Sequence, residues 1–170
     1  MNSMTKLLSS DGKSSGVVQV AIEHNFETAH RLPVLPGKCQ NLHGHSWLVK
    51  LFFSAEMDAN GVTVEYSQLK KTVRGFIDTV WDHGTALGFD DPLVGCLNDD
   101  QYHKKTYVFG RVGTLAENYP WPTVEAFSHV IAMHIQDELH KVFEDDDKLV
   151  LVDRVELRET STNFAVWTRN

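Results

Sequence analysis

Apolar and polar positions alternate from Val17 onward, with Val18, Val20 and Ile22 on one side, so residues 17–32 are predicted to be extended. A second extended run covers His45 to Ala55. Between them Pro33 to Leu42, with Pro33, Pro36 and Gly37, reads as a loop, so the two runs should form a hairpin with an elaborate connection. The period then changes. After a turn at Asp58, Asn60 and Gly61, the segment Ser67 to Trp81 places Leu69, Val73, Phe76, Ile77, Val80 and Trp81 on one helical stripe. A second helix should begin at Thr123, an N-cap candidate after Pro122, with Phe127, Val130, Ile131, Met133, His134, Ile135 and Leu139 inward and an acidic stop at Glu144 to Asp147. Alternation returns in Leu149 to Glu159 and in Asn163 to Thr168, which read as two more strands.

The order strand, strand, helix, helix, strand, strand predicts an α+β fold: a four-stranded antiparallel sheet with both helices on one face. Such a sheet has two open edges, and other copies of the chain are natural partners for them. Residues 87–121 show no clear period. Residues 1–15, rich in Ser, Lys and Gly, read as a mobile leader, and residues 16–170 as a single domain.

With 170 residues and 42% hydrophobic content the chain can bury one core. A net charge of −7 argues against a nucleic-acid-binding module, although Arg31, Lys38, Lys50 and Arg158 provide local cations for an anionic small molecule. The longest apolar stretches, such as Leu48 to Phe53, are too short to span a bilayer, and no secretory pattern opens the sequence, so a cytoplasmic location is expected. Only Cys39 and Cys96 are available for disulfides, and both are expected to be free thiols.

The chemistry concentrates in a few places. In an extended backbone His43 and His45, separated by Gly44, project to the same side. His30, at the end of the preceding run, would lie opposite them in a hairpin, giving three imidazoles that suit zinc and leave a fourth position open. An isolated His-Gly-His is more often a turn with exposed rings, and the third histidine is what favours a metal. Cys39 is expected beside the metal or the substrate, as a thiolate base or nucleophile, or else packed as a small hydrophobe, the role expected of Cys96. Asp82 and His83 follow the first helix as a candidate carboxylate-oriented proton relay; as helix-ending residues they are also ordinary. Glu159 and Thr160 close a strand where a carboxylate could grip a guanidine-like edge, and Thr123 has a sufficient reading as a cap. His24, His103, His129 and His140 have no assignable partners and are expected on the surface or in packing.

Taken together, the segment Phe26 to Pro33, the segment Cys39 to His45, Asp82-His83, the segment Pro122 to Glu125 and Arg158 to Thr160 resemble the 6-pyruvoyltetrahydropterin synthase family. The three-residue gap between Cys39 and His43 is more similar to its 6-carboxytetrahydropterin synthase branch. The resemblance covers roughly residues 17–168. It implies a tunnelling fold assembled as a homohexameric barrel of two trimers with sites between subunits. It also implies conversion of 7,8-dihydroneopterin triphosphate to 6-carboxy-5,6,7,8-tetrahydropterin with release of acetaldehyde and triphosphate, on the route to deazapurines such as queuosine. In that reading His30, His43 and His45 bind Zn2+, Cys39 is the catalytic thiol, and Asp82 and His83 form the relay. Glu159 anchors the pterin, with Thr123 and Thr160 lining its pocket. Glu65-Tyr66 replaces the family's common Asp-Phe, and residues 84–92 and 99–120 depart from the compact members. The altered loop beside His83 bears on which side chain is cleaved. Elimination to 6-pyruvoyltetrahydropterin, or another pterin side-chain cleavage, is the alternative chemistry, and a non-catalytic pterin- or zinc-binding protein the alternative class. The joint presence of Cys39, Asp82 and His83 favours catalysis.

Overall fold

The N-terminal alternation produces a long antiparallel hairpin. In the computed structural model, which describes residues 16–97, 105–144 and 148–170, β1 (Val17–His30) pairs along its whole length with β2 (His43–Glu56), from Val17 opposite Glu56 to His30 opposite His43. The expected leader, residues 1–15, lies outside the described residues, as do His103 and part of the acidic stop after Glu144. The connection contains a short 3-10 turn, Lys38–Gln40, tied to the end of β1 by the Leu32 N–H donating to the Cys39 carbonyl at 2.7 Å.

Beyond the turn at Asp58, helix α1 (Tyr66–Val80) buries Leu69, Val73, Phe76 and Ile77. The segment after it forms β3 (Gly84–Gly88), a short helix α2 (Leu93–Leu97) and β4 (Thr106–Phe109). Helix α3 (Val124–Val142) follows, with Thr123 as its N-cap: the Thr123 hydroxyl accepts from the Ala126 N–H at 3.2 Å. The chain ends in β5 (Leu151–Arg158) and β6 (Phe164–Thr168).

The strand order is β4-β3-β1-β2-β5-β6. The four expected strands are present and contiguous, but the sheet has six strands and is mixed, because β3 runs parallel to β1 at Thr28 to His30 and β4 runs parallel to β3. The expected four-stranded antiparallel sheet is therefore corrected in number and in kind. β3 leaves no periodic signal because all five of its residues are buried, so nothing alternates. Its Gly88 is a close-approach position: a Cβ there would stand 2.5 Å from the Pro120 carbonyl oxygen.

α1 and α3 cover one face of the sheet, as expected. Under them Trp47, Phe26, Trp81 and Phe127 are fully or almost fully buried, and Trp47 and Phe127 have ring centroids 5.0 Å apart. Burying each such ring contributes about 2–3 kcal/mol, and this aromatic layer floors the histidine cluster: the His30 ring stands edge-on to Trp47 at 5.1 Å. Two expectations fail here. Met133 is exposed and His134 stacks on Phe76 in the groove between α1 and α3, because the stripe drawn on α3 was wider than the face that meets the sheet. Cys96 is exposed on α2 rather than packed.

Candidate active site

Strand pairing builds the cluster. His30 ends β1 directly opposite His43, and His45, two residues on, projects to the same face as His43. Ring centroids lie 4.8 Å apart for His30 and His43, 4.9 Å for His43 and His45 and 5.3 Å for His30 and His45. One nitrogen from each falls within 4.8 Å of the others.

The outer nitrogens decide what the inner ones can do. His30 Nδ1 is 2.9 Å from the Pro122 carbonyl and His43 Nδ1 is 2.7 Å from the Asn41 carbonyl. A carbonyl only accepts, so each ring donates from Nδ1 and, as a neutral imidazole, carries its lone pair on Nε2. His30 is 1% exposed, and the Nε2 atoms of His30 and His45 are buried with no hydrogen-bond partner. Leaving such atoms unpaired costs about 1–3 kcal/mol each, a cost that a cation between them removes. Burial, with the neighbouring His30 and His43, lowers the His45 pKa below the ordinary histidine value although Glu159 opposes the shift; this favours the neutral, ligating ring. Three neutral imidazoles fit zinc.

Glu159 follows β5 and turns inward. Its Oε1 lies 3.2 Å from His30 Nε2 and 3.7 Å from His45 Nε2. Protonation of the adjacent His30 ring, with His45 and His43, would hold this carboxyl below the usual range against the opposing effect of burial.

Cys39, in the 3-10 turn, is exposed and is not part of the donor group. Asp82 and His83 sit at the Glu27 position of β1, on the side away from β2. Asp82 Oδ1 accepts the Glu27 N–H at 2.9 Å, and the His83 N–H donates to the Glu27 carbonyl at 2.7 Å. Asp82 Oδ2 is 2.8 Å from His83 Nδ1, so the two adjacent side chains do pair. His83 has φ 58°, a left-handed conformation that costs a non-glycine residue about 1 kcal/mol or more; the two bonds to Glu27 hold it there. Its ring is 77% exposed, with Nε2 at the outer end. Burial opposes ionisation of Asp82, but the Glu27 amide, His83 and Lys105 together hold its pKa below the ordinary value.

The Thr160 hydroxyl accepts from the Asn163 N–H at 3.0 Å in the turn between β5 and β6 and meets the Thr162 hydroxyl at 3.5 Å, while the Thr123 hydroxyl accepts at the start of α3. One chain therefore brings His30, His43, His45 and Glu159 together and pairs Asp82 with His83, while Cys39 stands on the flanking loop. Sequence reasoning missed the Pro122 and Asn41 carbonyls that orient the metal-facing rings and the Glu27 backbone that brackets the relay. Backbone groups carry no residue-type signal. Of the histidines without assigned partners, His24 pairs with Asp78 at 2.6 Å, His129 meets Tyr119, and His140 meets Gln136 at 3.1 Å.

Comparison with known proteins gives the chain's family. The family profile described as 6-pyruvoyl tetrahydropterin synthase matches residues 19–170. A protein of Rickettsia bellii named 6-carboxy-5,6,7,8-tetrahydropterin synthase is 29% identical over 141 residues, covering 82% of this chain and 91% of the relative. The protein of the same name from Rickettsia typhi is 28% identical over 142 residues, covering 82% and 92%. Among solved structures, an uncharacterized protein from Wolinella succinogenes superposes with TM-score 0.70 at 20% identity, covering 92% of this chain and 100% of that one. The 6-pyruvoyl tetrahydropterin synthase of Caenorhabditis elegans gives 0.56 at 20% identity, covering 91% and 97%. At those identities the two structures speak for the fold, and the profile match over nearly the whole chain speaks for descent. The chain belongs to the 6-pyruvoyl tetrahydropterin synthase family, whose members are lyases acting on pterin side chains.

Proposed function

We propose that this protein is a zinc-dependent 6-carboxy-5,6,7,8-tetrahydropterin synthase that converts 7,8-dihydroneopterin triphosphate, with uptake of one water, releasing acetaldehyde and triphosphate, as a step toward deazapurines such as queuosine. The observation that carries the reading is the set of three converging imidazoles, two of which, His30 and His45, have a buried Nε2 with no hydrogen-bond partner, in a chain whose curated relatives bear that name.

His30, His43 and His45 would hold the metal. Zinc held there would supply Lewis-acid polarisation of the substrate's side-chain oxygens and so would acidify the neighbouring C–H. Cys39, as thiolate, removes a proton from that side chain. His83, oriented through Nδ1 by Asp82, carries a proton on its outer Nε2 and returns it from the other side. Glu159 accepts two N–H bonds from the guanidine-like edge of the pterin, while Thr123 and Thr160 line its pocket. The internal redox shuffle needs no nicotinamide or flavin. The open sheet edges support a homohexamer with sites between subunits.

Incubation of the zinc-loaded protein with 7,8-dihydroneopterin triphosphate, followed by mass spectrometry, tests the reading. Formation of 6-carboxytetrahydropterin together with acetaldehyde is expected. Consumption of the substrate without acetaldehyde sinks the proposed product and points to elimination to 6-pyruvoyltetrahydropterin. No consumption by protein with its full zinc content discards the substrate.

A further inference from the structure

We infer that Glu159 is a fourth donor to the metal in the substrate-free protein, closing the position that the three histidines leave open. The inference rests on the metal reading above and adds to it a resting state in which the site is coordinatively complete.

The first observation is a mismatch of lone pairs. His30 gives its Nδ1 hydrogen to the Pro122 carbonyl, so in the neutral ring Nε2 bears a lone pair, and that lone pair faces Glu159 Oε1 at 3.2 Å without hydrogen-bond geometry. The same oxygen stands 3.7 Å from His45 Nε2, which is also buried and unpartnered. One proton on one ring would satisfy at most one of these two contacts. A cation centred among the three atoms satisfies both.

The second observation is the spacing. Around a tetrahedral zinc with ligand distances of about 2.0–2.1 Å, neighbouring donor atoms stand about 3.3 Å apart. Contacts of 3.2 and 3.7 Å bracket that edge length. The third is charge. Among the described residues Glu159 pairs with no Lys or Arg, and its neighbour Arg158 donates to the Ser161 carbonyl at 3.0 Å. A mostly buried carboxylate without a cationic side chain calls for another counterion, and the backbone holds this one in place through the Glu159 N–H to the Asn163 carbonyl at 3.0 Å.

With Oε1 on the metal, Glu159 no longer offers both oxygens for the paired N–H bonds of a pterin edge. Arrival of substrate would exchange Glu159 from the metal to the pterin, so the open position appears only when there is something to fill it.

Full-length protein loaded with Co2+ tests this, with azide as a probe of an open coordination position and visible absorption as the readout. Wild type, Glu159→Ala and Glu159→Gln are each expected to bind one Co2+ per chain. Azide should perturb the Ala-variant spectrum at concentrations at least roughly tenfold below those needed for wild type, and Zn2+ affinity by chelator competition should fall roughly tenfold or more. Equal azide response and equal affinity in wild type and variants overturn the assignment of Glu159 while leaving the three-histidine site standing. Absence of stoichiometric Co2+ in wild type overturns the metal reading and this inference with it. Circular dichroism and thermal unfolding of the Gln variant, which keeps the side chain's shape, separate lost ligation from lost folding.

Discussion

Each side chain of the site answers to a different force, so single substitutions should separate them. Cys39 is exposed on a turn and outside the donor cluster, so Cys39→Ala should retain zinc, measured by atomic emission, and pterin binding, measured by fluorescence, while turnover falls by roughly 10²-fold or more. Equal turnover of variant and wild type would remove Cys39 from the reaction. Asp82 makes a prediction about pH. Its carboxyl pKa is lower in the folded chain than its ordinary value, so the ionised form favours folding. That contribution is fully present above the unfolded value of about 4 and is lost as pH falls through it toward the folded value. The stability difference between wild type and Asp82→Asn, measured by urea unfolding, should therefore shrink between pH 7 and pH of about 3. A difference that stays constant or grows on acidification would contradict the assigned direction.

The elements around the site place different demands on two glycines. Gly88 in β3 is packed against Pro120 and Trp121, with 2.5 Å between a hypothetical Cβ and the Pro120 oxygen, so Gly88→Ala forces backbone apart and should cost about 1–3 kcal/mol, read as a lower Tm. At Gly44, between His43 and His45, the nearest atom to an added Cβ is 3.7 Å away, an ordinary contact. Gly44→Ala should therefore leave stability within about 0.5 kcal/mol of wild type; a large loss would show that the strand there is strained in a way its packing does not reveal. The contrast also explains why one element was legible and the other was not. β2 alternates, with Trp47, Val49, Leu51 and Phe53 buried and their neighbours less so, and that pattern is written in adjacent residues. β3 is buried throughout and pairs with a strand more than fifty residues earlier in the chain, so its signal is not local.

For the whole molecule, the open question at the level of assembly is what meets the sheet edges. β1 is paired on its β3 side only from Thr28 to His30, and Glu27 bonds Asp82 and His83, which leaves residues 17–26 of that edge without a partner strand among the described residues. Unpaired N–H and C=O groups along such a length favour pairing with another copy, and sedimentation equilibrium should give about six times the monomer mass for the proposed hexamer. A monomer at micromolar concentration would rule that assembly out. No helix among the described residues is long and apolar enough to cross a membrane. By itself the sequence determined the alternating strands β1, β2, β5 and β6, the two covering helices, the cap at Thr123 and the shared face of His43 and His45. All of these depend on residues close together in the chain, where period and spacing carry the physics. Only the tertiary structure decided that β3 and β4 extend the sheet, that Pro122 and Asn41 turn the imidazoles inward, and that Glu159 lands beside His30 and His45. Those contacts join segments tens of residues apart, and they form because burying the common aromatic core leaves each backbone carbonyl and carboxylate only one place to be.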